Sequence, residues 1–151
     1  MEIYRLFVIL HLLGASVWVG GHLVLSLAVL PRALRRQDPG IVRDFEGGFE
    51  RIGIPALALQ VVTGLWLAHR WVPDVGAWFA PATPQAWLIL VKLGLLAATV
   101  ALAVHARLRV IPTLDRDNLR FLAIHIVAVT ILAVALLVAG VALRTGAFLG
   151  D

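Results

Sequence analysis

Four long apolar runs dominate the chain, and short segments rich in arginine, proline or tryptophan separate them. Each run is about as long as the roughly 20 residues that a helix needs to cross a bilayer. We predict spanning helices over about 5–30, 52–71, 87–108 and 119–143. Short connections make consecutive helices antiparallel, so the expected fold is all-α: one integral membrane domain over 1–151, built as an up-down four-helix bundle.

Proline positions set the expected helix ends. Pro31 predicts a break after the first span, because a proline inside a helix removes a hydrogen bond and clashes with the preceding turn. The segment 41–51 predicts a short interfacial helix of mixed charge. Pro55 is tolerable in the first turn of the second span, where its missing N–H is not needed.

Composition agrees with this pattern. The chain is 61% hydrophobic and 15% charged, with a mean hydropathy of +0.94, whereas soluble domains are about 45–50% apolar and about 25% charged. The lipid bilayer is therefore the first expected partner. The absence of cysteine excludes disulfides, thiolate metal sites and thiol catalysis.

Arginine is distributed unevenly between the two sides of the predicted membrane domain. One side carries Arg32, Arg35, Arg36, Arg43, Arg51, Arg107, Arg109, Arg116 and Arg120. The other carries Arg5, Arg70 and Arg144. By the positive-inside rule, we expect a multi-pass membrane protein with both termini outside. Membrane topology explains the net charge of +4, and nucleic acid is not an expected partner.

Five histidines lie within or at the ends of the apolar runs, and ionisable groups at membrane depth are candidates for function. In the antiparallel arrangement they fall into two layers: His11 with His69, and His22 with His105 and His125. His11 and His22 are eleven residues apart, so they project from one side of the first helix, roughly 16 Å apart along it.

Two layers of histidines from different helices predict ligands for one or two haems b, each held by two opposed imidazoles. The expected iron ligands are His11, His22, His105 and His125, and His69 belongs to the same candidate set. The layer of three has one histidine more than a haem needs. The rival interpretation is copper bound by His22, His105 and His125, although a chain with one methionine and no cysteine lacks the sulfur that Cu(I) prefers.

Lys92 is the only lysine and lies at the predicted depth of His11. It either snorkels to the interface, contacts an anionic propionate, ligates a metal or moves a proton. Lys92 and His105 are about 220° apart around the third helix, so one undistorted helix cannot aim both at a single site. Gln60 and Thr63 are expected to form hydrogen bonds between helices.

Tryptophans surround the connection between the second and third spans, at Trp71, Trp78 and Trp87. Such residues usually form an interfacial belt. The alternative is a lid over a quinone or substrate, since loops often carry function.

Spaced motifs resemble a known family. The run HLLGASVWVGG with His11 and Trp18, then Pro55-Ala56, Gly64 and Val91-Lys92-Leu93, resembles the CopD-like (copper resistance protein D) membrane family and the related HemJ-type protoporphyrinogen oxidases. The first resemblance implies copper resistance or uptake at the inner membrane. The second implies haem b and oxidation of protoporphyrinogen IX, with the positions matching His11 and Lys92 important.

These observations lead to one leading hypothesis and three alternatives. The leading hypothesis is a haem-b membrane protein that transfers electrons, with a quinone or a small oxidant as exchange partner. The alternatives are copper transport or resistance through the same histidines, HemJ-like porphyrinogen oxidation, and a structural subunit whose histidines only pack. Enzymatic activity, a periplasmic redox or copper partner and a homo-oligomer are left open.

Overall fold

The computed structural model describes residues 1–145. Within them lie four helices long and apolar enough to cross a membrane, which confirms the all-α, four-helix membrane fold. Five α-helices build these spans: α1 (Glu2–Val24), α2 (Leu30–Arg36), α3 (Gly40–Trp71), α4 (Pro84–His105) and α5 (Leu119–Thr145). A π-helical turn, Leu25–Val29, joins α1 to α2, a second, Ala106–Val110, extends α4, and Gly76–Trp78 forms a 3₁₀ turn.

The sequence predicted a break of the first span at Pro31. In the structure the span continues past this proline to Arg36. The π-helical turn before the proline explains why. There the Leu30 N–H bonds to the carbonyl of Leu25, five residues back. In a regular α-helix, the ring of Pro31 would crowd the carbonyl of Leu27. Here that carbonyl lies inside the wider π-helical turn. Helix α2 ends at Gln37, whose φ of 50° is left-handed.

The second span is also longer than predicted, because the expected interfacial helix and the span form the single helix α3. The Asp38 carboxylate accepts a hydrogen bond from the Gly40 N–H at 2.9 Å near the helix start. Phe49 then packs on α1, with ring centroids 6.5 Å from Trp18 and 5.8 Å from His22. This aromatic contact holds the mixed-charge segment in the bundle rather than on the membrane surface.

Helix α1 packs against both α3 and α5, and α5 packs against α4. Helices α3 and α4 follow each other in the chain but do not pack side by side. The contact between α1 and α3 depends on Gly14, where an added Cβ would lie 2.8 Å from the Ala56 carbonyl oxygen. Small residues permit such close approach in membrane bundles. The bundle is therefore ordered α3, α1, α5, α4 and stays open between its first and last members.

The two ends of the bundle differ in packing. The closed end, where 37–39 and 111–118 connect the helices, holds a cluster of nine buried apolar residues: Leu25, Leu30, Ala33, Val42, Val110, Leu114, Leu119, Leu122 and Ile126. The Arg43 side chain donates to the Leu114 carbonyl there, and Arg107 pairs with Glu50 at 2.6 Å. The open end, where 72–83 connects α3 to α4, contains a cavity instead.

Candidate functional site

His11 is held by helix α3 at the wall of the open-end cavity. Its Nδ1 lies 2.9 Å from the Gln60 carbonyl oxygen and 3.1 Å from Thr63 Oγ1. A carbonyl oxygen can only accept, so Nδ1 carries the proton and Nε2 keeps a lone pair in the neutral ring. The ring lies over Gly64, where an added Cβ would come 2.9 Å from Cε1. The predicted helix-to-helix role of Thr63 is confirmed by this contact.

The cavity has a volume of about 200 Å³ and is lined by all four spanning helices. Its polar members are Tyr4, His11, Gln60, Lys92 and Arg144; the others are mostly aliphatic. The structure therefore places His11 and Lys92, which the sequence put at one depth, on the wall of the same cavity. Lys92 approaches Gly140 of α5, whose added Cβ would lie 3.4 Å from Nζ.

Two polar groups of this cavity lack protein partners. Gln60 Oε1 is buried and accepts no hydrogen bond. In the described part of the chain the Lys92 ammonium has neither a hydrogen bond nor an ion pair with a carboxylate. Buried polar groups in native proteins are nearly always satisfied, so the unpaired Gln60 Oε1 marks a position where another molecule is expected. Lys92 is half-buried and lines the same cavity.

His105 and His125 form a direct pair on the closed side of the membrane domain. His105 Nδ1 lies 2.9 Å from His125 Nε2, and the rings stack with centroids 5.1 Å apart and an angle of 17°. His125 Nδ1 donates to the Phe121 carbonyl at 3.1 Å. The His125 Nε2 lone pair consequently faces His105, which donates from Nδ1. His125 is buried, whereas His105 is exposed.

His22 lies in the same layer but is not part of this pair. Its Nδ1 donates to the Trp18 carbonyl at 2.9 Å, and its ring lies 4.3 Å from the Trp18 ring between centroids. The His22 carbonyl accepts from the Thr130 hydroxyl at 3.2 Å, which ties α1 to α5. His69 is exposed on α3 and is not among the residues that line the cavity.

The predicted ligand sets are therefore only partly brought together. Over residues 1–145 no group of three or more His, Asp or Glu side chains could hold a metal ion, so His22, His105 and His125 do not form a three-ligand copper site in this arrangement. Two opposed haem ligands would need nitrogens roughly 4 Å apart, given metal–nitrogen bonds of about 2 Å. The 2.9 Å hydrogen bond between His105 and His125 leaves no room for a metal ion between the two nitrogens as they stand, and a haem would need space for its macrocycle as well. The Nδ1 atoms of His11 and His22 bond to main-chain carbonyls and not to another histidine.

One feature of the histidines was not foreseen from the sequence. His11, His22 and His125 each donate Nδ1–H to a main-chain carbonyl, from a neighbouring helix or from the preceding turn. Metal-ligating histidines usually make this outer contact, which fixes the tautomer and leaves Nε2 as the ligand atom. Spacing of i and i−4 could have suggested the contacts of His22 and His125, but nothing in the sequence indicates which carbonyl His11 meets.

Fold and site define a multi-pass α-helical membrane protein with histidines inside the bundle. Residues 43–143 match the family described as Copper resistance protein D, and the chain belongs to that family. His69, Lys92, His105 and His125 lie within the matched residues, and His11 and His22 precede them. No curated protein and no solved structure gives a significant match.

Proposed function

We propose that this protein handles copper at the bacterial inner membrane, in transport or resistance, with His105 and His125 as the pair that contacts the ion. The observation that carries the proposal is the direct contact between these two rings. Family membership supports copper over haem b as the group that the histidines meet. Imidazole is a suitable copper ligand where sulfur is absent.

Tautomer chemistry explains how a hydrogen-bonded pair becomes a ligand pair. The Phe121 carbonyl keeps the His125 proton on Nδ1, so Nε2 is already unprotonated. If the His105 proton moves from Nδ1 to Nε2, two lone pairs face each other. A copper ion between them needs a nitrogen separation of roughly 4 Å, about 1 Å more than in this structure. His105 is exposed and can swing outward by that amount.

A two-ligand site suits transfer better than storage. Copper held by two nitrogens keeps open coordination positions, through which an incoming ligand can displace it. The buried His125 provides the fixed half of the site and the exposed His105 the movable half. Copper is here the cargo, and the chain's own residues supply only ligand atoms and their orientation.

Topology decides which compartment this pair serves. With the arginine-rich closed end inside, both termini lie outside and the pair lies near the cytoplasmic surface. Because the chain has no cysteine, single introduced thiols report their side without background. Asp74→Cys should react with an impermeant maleimide added to intact cells, and Asp115→Cys only after lysis. Reversed labelling would contradict the orientation.

Copper binding by the purified full chain in detergent tests the function. We expect a chromophoric Cu(I) chelator to compete at least about ten-fold more effectively with His105→Ala and His125→Ala than with the unaltered protein, which corresponds to about 1.4 kcal/mol. His69→Ala is the matched control, since His69 is exposed and outside both sites. Equal competition in all four proteins would reject the proposal.

The same preparation tests haem b and electron transfer, which the histidine geometry does not favour. We expect oxidised and dithionite-reduced absorption spectra without a Soret band. A stoichiometric b-type spectrum that His105→Ala or His125→Ala removes would replace copper with haem as the group bound by this pair.

A further inference from the structure

The open-end cavity has a chemistry that copper handling at the closed end does not use. Its walls are apolar apart from a few groups. On the α1 and α3 side the His11 Nε2 lone pair and Gln60 Oε1 are acceptors, and the Gln60 amide nitrogen can donate. On the α4 side the group is a donor, the Lys92 ammonium. A complementary molecule therefore donates on one side and accepts on the other.

The position of the Lys92 ammonium also argues against copper in this cavity. It lines the same cavity as His11, and no carboxylate neutralises it in residues 1–145. A cation entering such an apolar space would meet a like charge at low dielectric, which is unfavourable by several kcal/mol. The occupant that fits is neutral or carries an acceptor oxygen towards Lys92.

The volume of the cavity further restricts which molecules it can bind. A cavity of about 150 Å³ in another protein accommodates benzene, so the volume of about 200 Å³ here accommodates one substituted six-membered ring. A macrocycle of four pyrrole rings is too large. Because α3 and α4 do not pack together, an apolar tail on that ring can leave the cavity between them into the lipid.

We propose that this cavity binds the head group of a lipid-soluble quinol, with one ring oxygen accepting from Lys92 and the opposite hydroxyl donating to His11 Nε2 or Gln60 Oε1. The quinone form has two carbonyl oxygens and no donor. One of them would face the His11 Nε2 lone pair, because the Gln60 carbonyl keeps the His11 proton on Nδ1. The site therefore distinguishes the reduced from the oxidised ring.

Binding of decylubiquinol and decylubiquinone to the full chain in detergent, measured anaerobically by isothermal titration, tests this assignment. We expect the quinol to bind about ten-fold or more tightly than the quinone, since the quinone leaves the His11 acceptor unpaired. His11→Phe keeps a ring but removes the acceptor, and it should largely remove the preference. Lys92→Met should weaken the binding of both redox forms by about ten-fold.

A pair of glycine variants separates the cavity from the rest of the bundle. Gly140→Leu places a side chain beside Lys92 and should abolish binding of both forms, whereas Gly94→Leu on α4 projects into open space and should leave binding unchanged. Decylbenzene, which lacks the oxygens, should not bind measurably. Equal affinity for decylbenzene, equal affinity for the two redox forms, or unchanged binding by Gly140→Leu would each overturn the proposal, whatever the result for copper.

Discussion

The closed and open ends of this bundle contain the same kinds of apolar residue but pack differently. At the closed end, side chains from all spans pack together, and His105 is hydrogen-bonded to His125. At the open end, α3 and α4 stand apart, and Gln60 Oε1 and the Lys92 ammonium have no partner within residues 1–145. In lipid, apolar surface gains little from burial against another helix. Close packing is therefore a local property, and the gaps are places where other molecules can bind.

The connections explain part of the difference. At the closed end, the turn after α2 is tight, and Arg43 ties α3 to the 111–118 connection by donating to Leu114. At the open end, 72–83 forms a longer connection, in which Trp78 is buried and donates to the Val72 carbonyl at 2.8 Å. This connection joins two helices that do not pack side by side. Whether it also acts as a lid stays a prediction.

Truncation of a closed-end leucine should give the largest effect. Leu122 is 2% exposed within the closed-end cluster, and Leu122→Ala should lower the free energy of unfolding by about 2–5 kcal/mol through lost contacts and a new void. Leu137→Ala is the matched control, because Leu137 already borders the open-end cavity and is 41% exposed. Denaturant unfolding in micelles should show that Leu137→Ala lowers the free energy of unfolding by less than about 1 kcal/mol. Equal losses would mean that the two ends do not differ in packing.

A methyl group between α1 and α3 should give an intermediate effect. Gly14→Ala brings a Cβ to 2.8 Å from the Ala56 carbonyl oxygen, a backbone atom that cannot turn aside. We expect a loss of about 1–3 kcal/mol and a weaker contact between His11 and Gln60. Gly20→Ala, with nothing within 4 Å, should be neutral or slightly stabilising because alanine favours helix. Thermal unfolding of both variants measures the difference in stability. A larger loss for Gly20→Ala than for Gly14→Ala would contradict the close contact of α1 and α3 at Gly14.

Removal of the closed-end ion pair should give the smallest effect. The Arg107 and Glu50 side chains are 52% and 32% exposed, and partly exposed pairs contribute about 0–1 kcal/mol. Glu50→Gln should therefore lower the melting temperature only slightly, and the difference should shrink as salt increases. A large, salt-independent loss would show that the pair, rather than the leucine cluster, holds the closed end together.

Much of the site followed from helix periodicity. The number of spans followed from the lengths of the apolar runs, and antiparallel depth brought His105 to His125 and His11 to Lys92. Helix geometry also indicated that Lys92 and His105 point in different directions, and in the structure Lys92 lines the cavity while His105 contacts His125. Periodicity could not foresee the π-helical turn that carries the first span past Pro31, because a turn of that kind depends on packing around the proline rather than on its local preference.

The amino-acid sequence by itself determined that this protein is a four-span membrane bundle, because hydrophobic length and short connections leave little choice in a bilayer. It also predicted at which depth each histidine lies. Only the tertiary structure decided which rings meet, that His22 turns to Trp18 while His105 turns to His125, and that α3 and α4 leave a cavity between them. These features depend on the rotation and tilt of whole helices, which side-chain packing between helices selects and which no segment encodes alone.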